Sequence, residues 1–166
     1  MSAGASTPAS SGGPMNLEDL YNYLKVDETL ITSGQPTAEQ LRAVAAEGFS
    51  AVINLAPAPA ALDEAGLVRA LGLTYVHIPV AWDHPQAGDF AAFEAALAHR
   101  PAGKILIHCQ ANYRVTAFYA LYAQKHLGWS EAQAEEFRAA IWGGTADYPV
   151  WDEFLADQRA QITAPR

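Results

Sequence analysis

The single cysteine of the chain, Cys109, stands where a reactive thiol could work. It follows Lys104–His108, which is predicted as a buried strand around the apolar run Ile105–Ile107, and it precedes a stretch with helical spacing. In an open parallel sheet, ligands bind outside the carboxyl ends of the strands. Backbone N–H groups could converge there on an anion, and the positive end of the helix dipole favours thiolate over thiol. The pattern therefore predicts an ionised nucleophile in an anion-binding loop.

Arg114 ends this predicted loop. Its planar guanidinium carries several donors that suit a tetrahedral oxyanion. The residues that we expect to bind the anion are Gln110, Ala111, Asn112, Tyr113 and Arg114. His108 either supports the thiolate or is a core histidine with satisfied hydrogen bonds, and both interpretations stay open. For Cys109 the alternative is a small buried side chain without a chemical role.

This stretch resembles the phosphate-binding loop of cysteine-dependent protein tyrosine phosphatases through His108, Cys109, a short loop, Arg114 and Thr116. Three further segments resemble parts of bacterial dual-specificity-like phosphatases in the same order, namely Ser33–Thr37, Val52–Leu55 and Tyr75–Val80. The resemblance extends over residues 16–160. It implies a phosphatase-like α/β fold and hydrolysis of a phosphate monoester without a cofactor.

The resemblance also assigns a role to each residue of the motif. Cys109 is then the nucleophile that forms a phosphocysteine intermediate, which water hydrolyses, and Arg114 binds the phosphoryl oxygens. His108 supports the thiolate. Thr116 supplies the hydroxyl that stabilises the thiolate in the second step, although a helix-capping threonine would look the same. The implied partner is a phosphorylated protein or small molecule, and phosphotyrosine and phosphoserine are both open.

Phosphatases of this kind also use a general acid, which a separate loop delivers to the leaving oxygen. Asp83 occupies the matching place after a predicted strand, and Trp82 beside it is expected to pack as part of a hinge or lid. His84 and Asp89 are the competitors, although Asp89 suits a helix N-cap better. Three later aromatic residues are expected to pack in the core, with a wall for an aromatic substrate as the alternative: Trp142, Tyr148 and Trp151.

The loop departs from the usual phosphatase pattern in its length. Four residues separate Cys109 from Arg114 instead of five, and Val115 stands between Arg114 and Thr116. Asn112 takes the place of the usual glycine, and asparagine is the next best residue for a left-handed turn. Rhodanese-like sulfurtransferases have a loop of this shorter length, and their cysteine carries a persulfide. Sulfur transfer, and recognition of phosphorylated partners without catalysis, therefore remain alternatives.

The elements around the loop alternate between strands and helices, which is typical of parallel βαβ units. Predicted strands are Leu30–Thr32, Ala51–Leu55, Tyr75–Ile78 and Lys104–His108. Predicted helices cover 38–47, 62–71, a stretch from 88, 116–127, 132–141 and 148–161. A further helix is predicted after Asn16, because Leu17, Leu20, Tyr21 and Leu24 follow helical spacing. The fold class is a three-layer α/β/α sandwich with a mostly parallel sheet of four or five strands.

Length and composition limit the remaining possibilities. The 166 residues predict a flexible tail over residues 1–14 and a single domain over residues 15–166. A net charge of -8 argues against nucleic acid and anionic membranes as partners. No apolar run approaches the ~20 residues that a bilayer requires. The five histidines show no metal-binding spacing. We expect a cytoplasmic protein, and the sequence leaves its oligomeric state open.

Overall fold

A five-stranded sheet forms the centre of the computed structural model, which describes residues 16–57 and 62–163. Its strands are β1 (Leu24–Asp27), β2 (Leu30–Ser33), β3 (Phe49–Asn54), β4 (Thr74–His77) and β5 (Lys104–His108). They lie in the order β1-β2-β5-β3-β4, and only the β1–β2 pair is antiparallel. Because β5 lies between β2 and β3, its carboxyl end is in the middle of the sheet edge.

Helices cover both faces of the sheet. They are α1 (Ala38–Ala46), α2 (Glu64–Ala70), α3 (Ala87–Ala98), α4 (Tyr113–His126), α5 (Glu131–Ala139) and α6 (Pro149–Thr163). Helices α1 and α2 pack on one face, and the other face carries α4, which contacts α3, α5 and α6. The predicted three-layer sandwich with a mostly parallel sheet is confirmed.

The central strand β5 contributes to two separate cores. Ile105 and Ile107 lie in the larger core with α3, α4 and α6, and Leu106 lies in the smaller core with α1 and α2. Side chains of a strand alternate between its faces, so a strand covered on both sides carries consecutive apolar residues, here Ile105–Ile107. Burying each of these side chains contributes about 1.5–3 kcal/mol. The end of β5 is therefore held firmly in place.

The prediction of a helix after Asn16 is wrong. A single 3-10 turn, Leu17–Asp19, follows Asn16, whose side chain accepts a hydrogen bond from the N–H of Glu18 at 2.9 Å. The chain then enters β1, in which Leu24 and Val26 are half buried and Lys25 and Asp27 are exposed. Pairing with β2 outweighs the helical spacing of the leucines, since tertiary contacts override weak local propensity.

The beginning of α4 also differs from the prediction. It starts at Tyr113 instead of Thr116, so the predicted loop is shorter and Arg114 lies in the first turn of the helix. The tail predicted over residues 1–14 lies outside the described residues. Among the residues that are described, no helix has the length and apolar character needed to cross a membrane.

Candidate functional site

Cys109 lies directly beyond β5, in the middle of the sheet edge. Its side chain is fully buried, with 0% exposure. Its backbone N–H donates to the carbonyl oxygen of Ser33 at the end of β2, at 3.4 Å. On the other side, the N–H of Leu55 after β3 donates to the carbonyl of His108 at 2.8 Å. The two neighbouring strands therefore fix the backbone on which the sulfur is carried.

The turn from the loop into α4 depends on Asn112. Its φ of 69° places it in the left-handed region, which asparagine tolerates better than most residues. Its side-chain amide donates to the carbonyl of Asn22 at 2.8 Å and to the hydroxyl of Thr32 at 3.0 Å. In return, the amide of Asn22 donates to the carbonyl of Ala111 at 2.9 Å. This exchange ties the loop to the segment before β1.

Gly34 allows the chain after β2 to approach the loop closely. A Cβ atom at this position would lie 2.5 Å from the carbonyl oxygen of Gln110 and 2.5 Å from a ring carbon of Tyr21. The N–H of the next residue, Gln35, donates to the same Gln110 carbonyl at 2.9 Å. The Gln110 carbonyl is thereby held by Gln35, whereas no backbone N–H of residues 110–115 donates a hydrogen bond within the described residues.

The backbone N–H groups of the loop are the hydrogen-bond donors that the site offers to an anion. Within the described parts of the chain, none of the backbone N–H groups of residues 110–115 donates a hydrogen bond. The first that does belongs to Thr116, which donates to the carbonyl of Asn112 at 3.1 Å. Unpartnered N–H groups at a helix N-terminus, with the helix dipole behind them, form an anion-binding site.

Arg114 adds a buried cation to this loop. Its side chain is 5% exposed, and its Nε atom has no hydrogen-bond partner among the described residues. Burial lowers the pKa of Arg114, whereas the charge of Cys109 and a hydrogen bond with it act in the opposite direction. A guanidinium remains protonated under such conditions. The site thus combines the thiol with a cation whose donors are largely unused.

His108 and Glu64 form a buried pair behind the loop. His108 Nε2 lies 2.5 Å from Glu64 Oε2, and the side chains are 0% and 3% exposed. Gln35 Nε2 donates to the other carboxylate oxygen at 2.8 Å. Burial acts to raise the pKa of Glu64, but hydrogen bonds and the charge of His108, together with hydrogen bonds of Gln35 and Tyr75, hold it below its ordinary value. Glu64 is therefore ionised at neutral pH.

Trp82 lies over the guanidinium of Arg114, with 5.0 Å between the Arg114 Cζ atom and the ring centroid. The indole N–H of Trp151 donates to the Trp82 carbonyl at 2.7 Å. Trp142 stacks on Tyr113 with ring centroids 5.2 Å apart. Trp142 and Trp151 are buried, in agreement with the predicted core packing, whereas Tyr148 is 38% exposed beside Trp82. An aromatic cluster consequently borders the cation.

The remaining predicted residues occupy different surroundings. Asp83 and His84 are exposed, and their side chains form no hydrogen bond within the described residues. Asp89 is not the N-cap of α3: it lies at the third helical position and accepts from the N–H of Gln86 at 3.0 Å. The Thr116 hydroxyl donates to the carbonyls of Asn112 and Tyr113, at 2.9 and 3.2 Å.

Comparison with known proteins assigns the family. The family described as "Beta-lactamase hydrolase-like protein, phosphatase-like domain" matches residues 22–126, which include the strands, the cysteine loop and α4. The chain belongs to this family. A candidate phosphatase (DUF442) from Shewanella putrefaciens CN-32 is 32% identical in sequence. Its crystal structure covers 90% of this chain, which in turn covers 98% of that protein, and the TM-score is 0.75.

Two further comparisons show how far the match extends. A Beta-lactamase hydrolase-like protein of Xylella fastidiosa is 32% identical over 102 residues, which is 58% of this chain and 23% of the relative. The chain therefore spans about a quarter of the length of that relative. The structure of TpbA from P. aeruginosa in complex with pTyr shares the fold at 17% identity, with a TM-score of 0.67 and coverage of 91% and 94%. The predicted cysteine-dependent phosphatase family and fold are thus confirmed.

Several residues of this phosphatase-like domain were not predicted as part of the site. Glu64 and Asn22 are far from Cys109 in the sequence, but Glu64 contacts His108, and Asn22 contacts Ala111 and Asn112 of the loop. Gly34 and Gln35 belong to a segment that carries the family resemblance, which was the available signal for them. Nothing in the sequence near Glu64 marks it, because a glutamate in a helical first turn is ordinary.

Proposed function

We propose that this domain hydrolyses phosphate monoesters with Cys109 as the nucleophile. The observation that supports this most directly is the buried Arg114 guanidinium, which has an unpartnered Nε and lies beside the thiol. The free N–H groups of residues 110–115 add donors to the same place. Fixed donors around a position where negative charge develops are the usual means of stabilising a phosphoryl-transfer transition state.

The reaction has two steps. The Cys109 thiolate attacks phosphorus, an S–P bond forms, and the bond from phosphorus to the leaving oxygen breaks. Water then attacks the phosphocysteine, so the S–P bond breaks and inorganic phosphate leaves with the thiolate restored. In both steps the loop N–H groups and Arg114 hold the non-bridging oxygens, with Gln110, Ala111, Asn112 and Tyr113 supplying the N–H groups.

Asp83 is the proposed general acid. It gives a proton to the leaving oxygen in the first step and accepts one from water in the second. Two features support it: its side chain has no hydrogen-bond partner within the described residues, and Trp82 next to it already lies over Arg114. Asp89 is less suited, because its carboxylate accepts a backbone hydrogen bond in α3. His84, which is exposed like Asp83, is the second candidate.

Sulfur transfer is the second candidate function, and the loop length favours it. Four residues separate Cys109 from Arg114, as in rhodanese-like sulfurtransferases. In addition, the Thr116 hydroxyl donates to carbonyls of its own helix turn, so it has no proton left for the thiolate. A sulfur-transfer cycle needs no such hydroxyl and no acid for a leaving alkoxide. Its intermediate would be a persulfide on Cys109 formed from a sulfur donor such as thiosulfate.

A paired assay distinguishes these functions. The wild type and Cys109→Ser are each given an aryl phosphate, and separately thiosulfate with cyanide. Release of phosphate by the wild type alone supports the proposal, whereas thiocyanate formation without phosphate release supports sulfur transfer. If neither product forms but inorganic phosphate binds, and Arg114→Ala abolishes that binding, the domain recognises phosphorylated partners without catalysis. Equal phosphate release by Cys109→Ser would refute a role for the thiol.

A further inference from the structure

Both ring nitrogens of His108 face oxygen acceptors. Nε2 lies 2.5 Å from Glu64 Oε2, and Nδ1 lies 3.2 Å from the carbonyl oxygen of Cys109. A neutral imidazole carries hydrogen on one nitrogen and could donate to only one of these oxygens. An imidazolium donates to both. The geometry therefore fits a protonated His108 between a carboxylate and the backbone of the nucleophile.

The surroundings of Glu64 are suited to an ionised carboxylate. A buried ion pair is stable only when its remaining polar groups are satisfied. Gln35 donates to the Glu64 oxygen that His108 does not use, so each carboxylate oxygen has a donor. The lowered pKa of Glu64 agrees with this arrangement. In an uncharged pair the Glu64 hydroxyl would instead donate to His108 Nε2, and the lowered pKa of Glu64 disfavours that arrangement.

Other charged and titratable groups lie on both sides of the pair. On the Glu64 side, Tyr75 of β4 hydrogen-bonds with the carboxylate, and the Arg69 guanidinium of α2 lies 5.7 Å from the Tyr75 ring. On the His108 side, the carbonyl oxygen of Cys109 faces Nδ1, and Arg114 in turn interacts with Cys109. His108 is thus the member of the pair that contacts the backbone of Cys109, and Glu64 reaches that backbone through His108.

We propose that Glu64 is a positioning residue for Cys109: it keeps His108 doubly protonated, so that His108 fixes the Cys109 carbonyl and favours the thiolate. The proposal rests on the proposed function only in requiring a reactive thiolate. It applies equally if the domain transfers sulfur. Glu64 therefore links α2 to the chemistry of the loop.

A thiolate titration tests this without any substrate. Cys109 is the only cysteine, so the ultraviolet absorbance of the thiolate, corrected with Cys109→Ser, reports on it alone. We expect the pH midpoint to rise by about one unit in Glu64→Gln and in His108→Asn, and alkylation by iodoacetamide below the midpoint to slow about tenfold. The double variant should match either single variant. Glu94→Gln, which removes a surface carboxylate paired with His126, should leave the midpoint unchanged.

Two outcomes would overturn the proposal. The first is a Glu64→Gln midpoint equal to that of the wild type, and the second is a double variant whose shift is the sum of the single shifts. If Glu64→Gln does not fold, Glu64→Asp and His108→Asn replace it, with a partial and a full shift expected, and an unchanged midpoint in either contradicts the proposal. Since no substrate is used, this result is independent of whether phosphate release is observed.

Discussion

Arg114 shows how one side chain defines what the loop can bind. Its guanidinium is buried beside Cys109 and under Trp82, and its Nε makes no hydrogen bond within the described residues. Burying a charged group with an unpaired donor is unfavourable, so the protein loses stability by keeping it there. An anion that accepts two parallel hydrogen bonds would offset that loss. The residue therefore favours a planar or tetrahedral oxyanion over other ligands.

Replacing Arg114 should separate the effect of its charge from that of its shape. Arg114→Lys keeps the charge but loses the fork of donors, and we expect its dissociation constant for inorganic phosphate to rise about tenfold. In Arg114→Ala the affinity for inorganic phosphate should fall about 100-fold or more, since hydrogen bonds to charged groups are worth about 1.5–3 kcal/mol each. Calorimetric titration of phosphate into each variant measures this. Equal affinity in wild type and Arg114→Lys would show that the fork does not contact the anion.

At the scale of elements, the site depends on a close approach between the end of β2 and the cysteine loop. Gly34 permits this approach, since a Cβ there would meet the Gln110 carbonyl at 2.5 Å. The neighbouring backbone cannot move away without straining hydrogen bonds, because the N–H groups of Gln35 and Cys109 both donate across the same junction. The β2–loop junction therefore determines the loop conformation as much as the loop sequence does.

Gly34→Ala should accordingly destabilise the domain by roughly 1–3 kcal/mol and weaken phosphate binding with it. Gly88→Ala is a matched control, because nothing lies within 4 Å of a Cβ there and the residue is in the first turn of α3. This control should be neutral or more stable by up to about 1 kcal/mol. Urea unfolding measures both variants. A Gly34→Ala domain as stable as the control would mean that the junction is not tight.

How a strand is covered in the sheet explains whether the sequence predicts it. The sequence-based bounds of β5 match the structure, because a central strand covered on both faces has consecutive apolar residues, here Ile105–Ile107, which contrast with their surroundings. Strand β1 was missed, since an edge strand with one half-buried face has only a weak pattern, and its leucines also fit helical spacing. Cys109 and Arg114 were predictable from their positions around β5. Glu64 was not, because its contact with His108 spans 44 residues and depends on how α2 packs.

Across the whole molecule, buried and partly buried carboxylates connect stability to pH. In Glu64, Glu94 and Glu135, burial acts to raise the pKa, but hydrogen bonds and cationic partners outweigh it, so each pKa lies below the ordinary value. The partners of Glu94 are Lys125 and His126. Groups with a lowered pKa in the folded state stabilise it above their ordinary pKa, and this contribution disappears as the pH falls through the lowered values.

We therefore expect the free energy of unfolding to fall as the pH is lowered from neutrality to below about 4. Glu64→Gln should flatten this dependence more than Glu94→Gln does, because Glu94 is more exposed and solvent weakens its interactions. Urea unfolding followed by tryptophan fluorescence at several pH values provides the measurement. Stability that rises on acidification would contradict the assigned directions of all three carboxylates.

Hydrolysis of phosphate esters by this domain, as proposed, requires a covalent intermediate on the sulfur of Cys109. Rapid acid quenching of the wild type during turnover of an aryl phosphate, followed by peptide mass spectrometry, measures it directly. We predict a mass increase of one phosphoryl group on the peptide that contains Cys109, and none in Cys109→Ser. Turnover of the ester without any such adduct, or an added sulfur atom in its place when thiosulfate is supplied, would contradict the proposal.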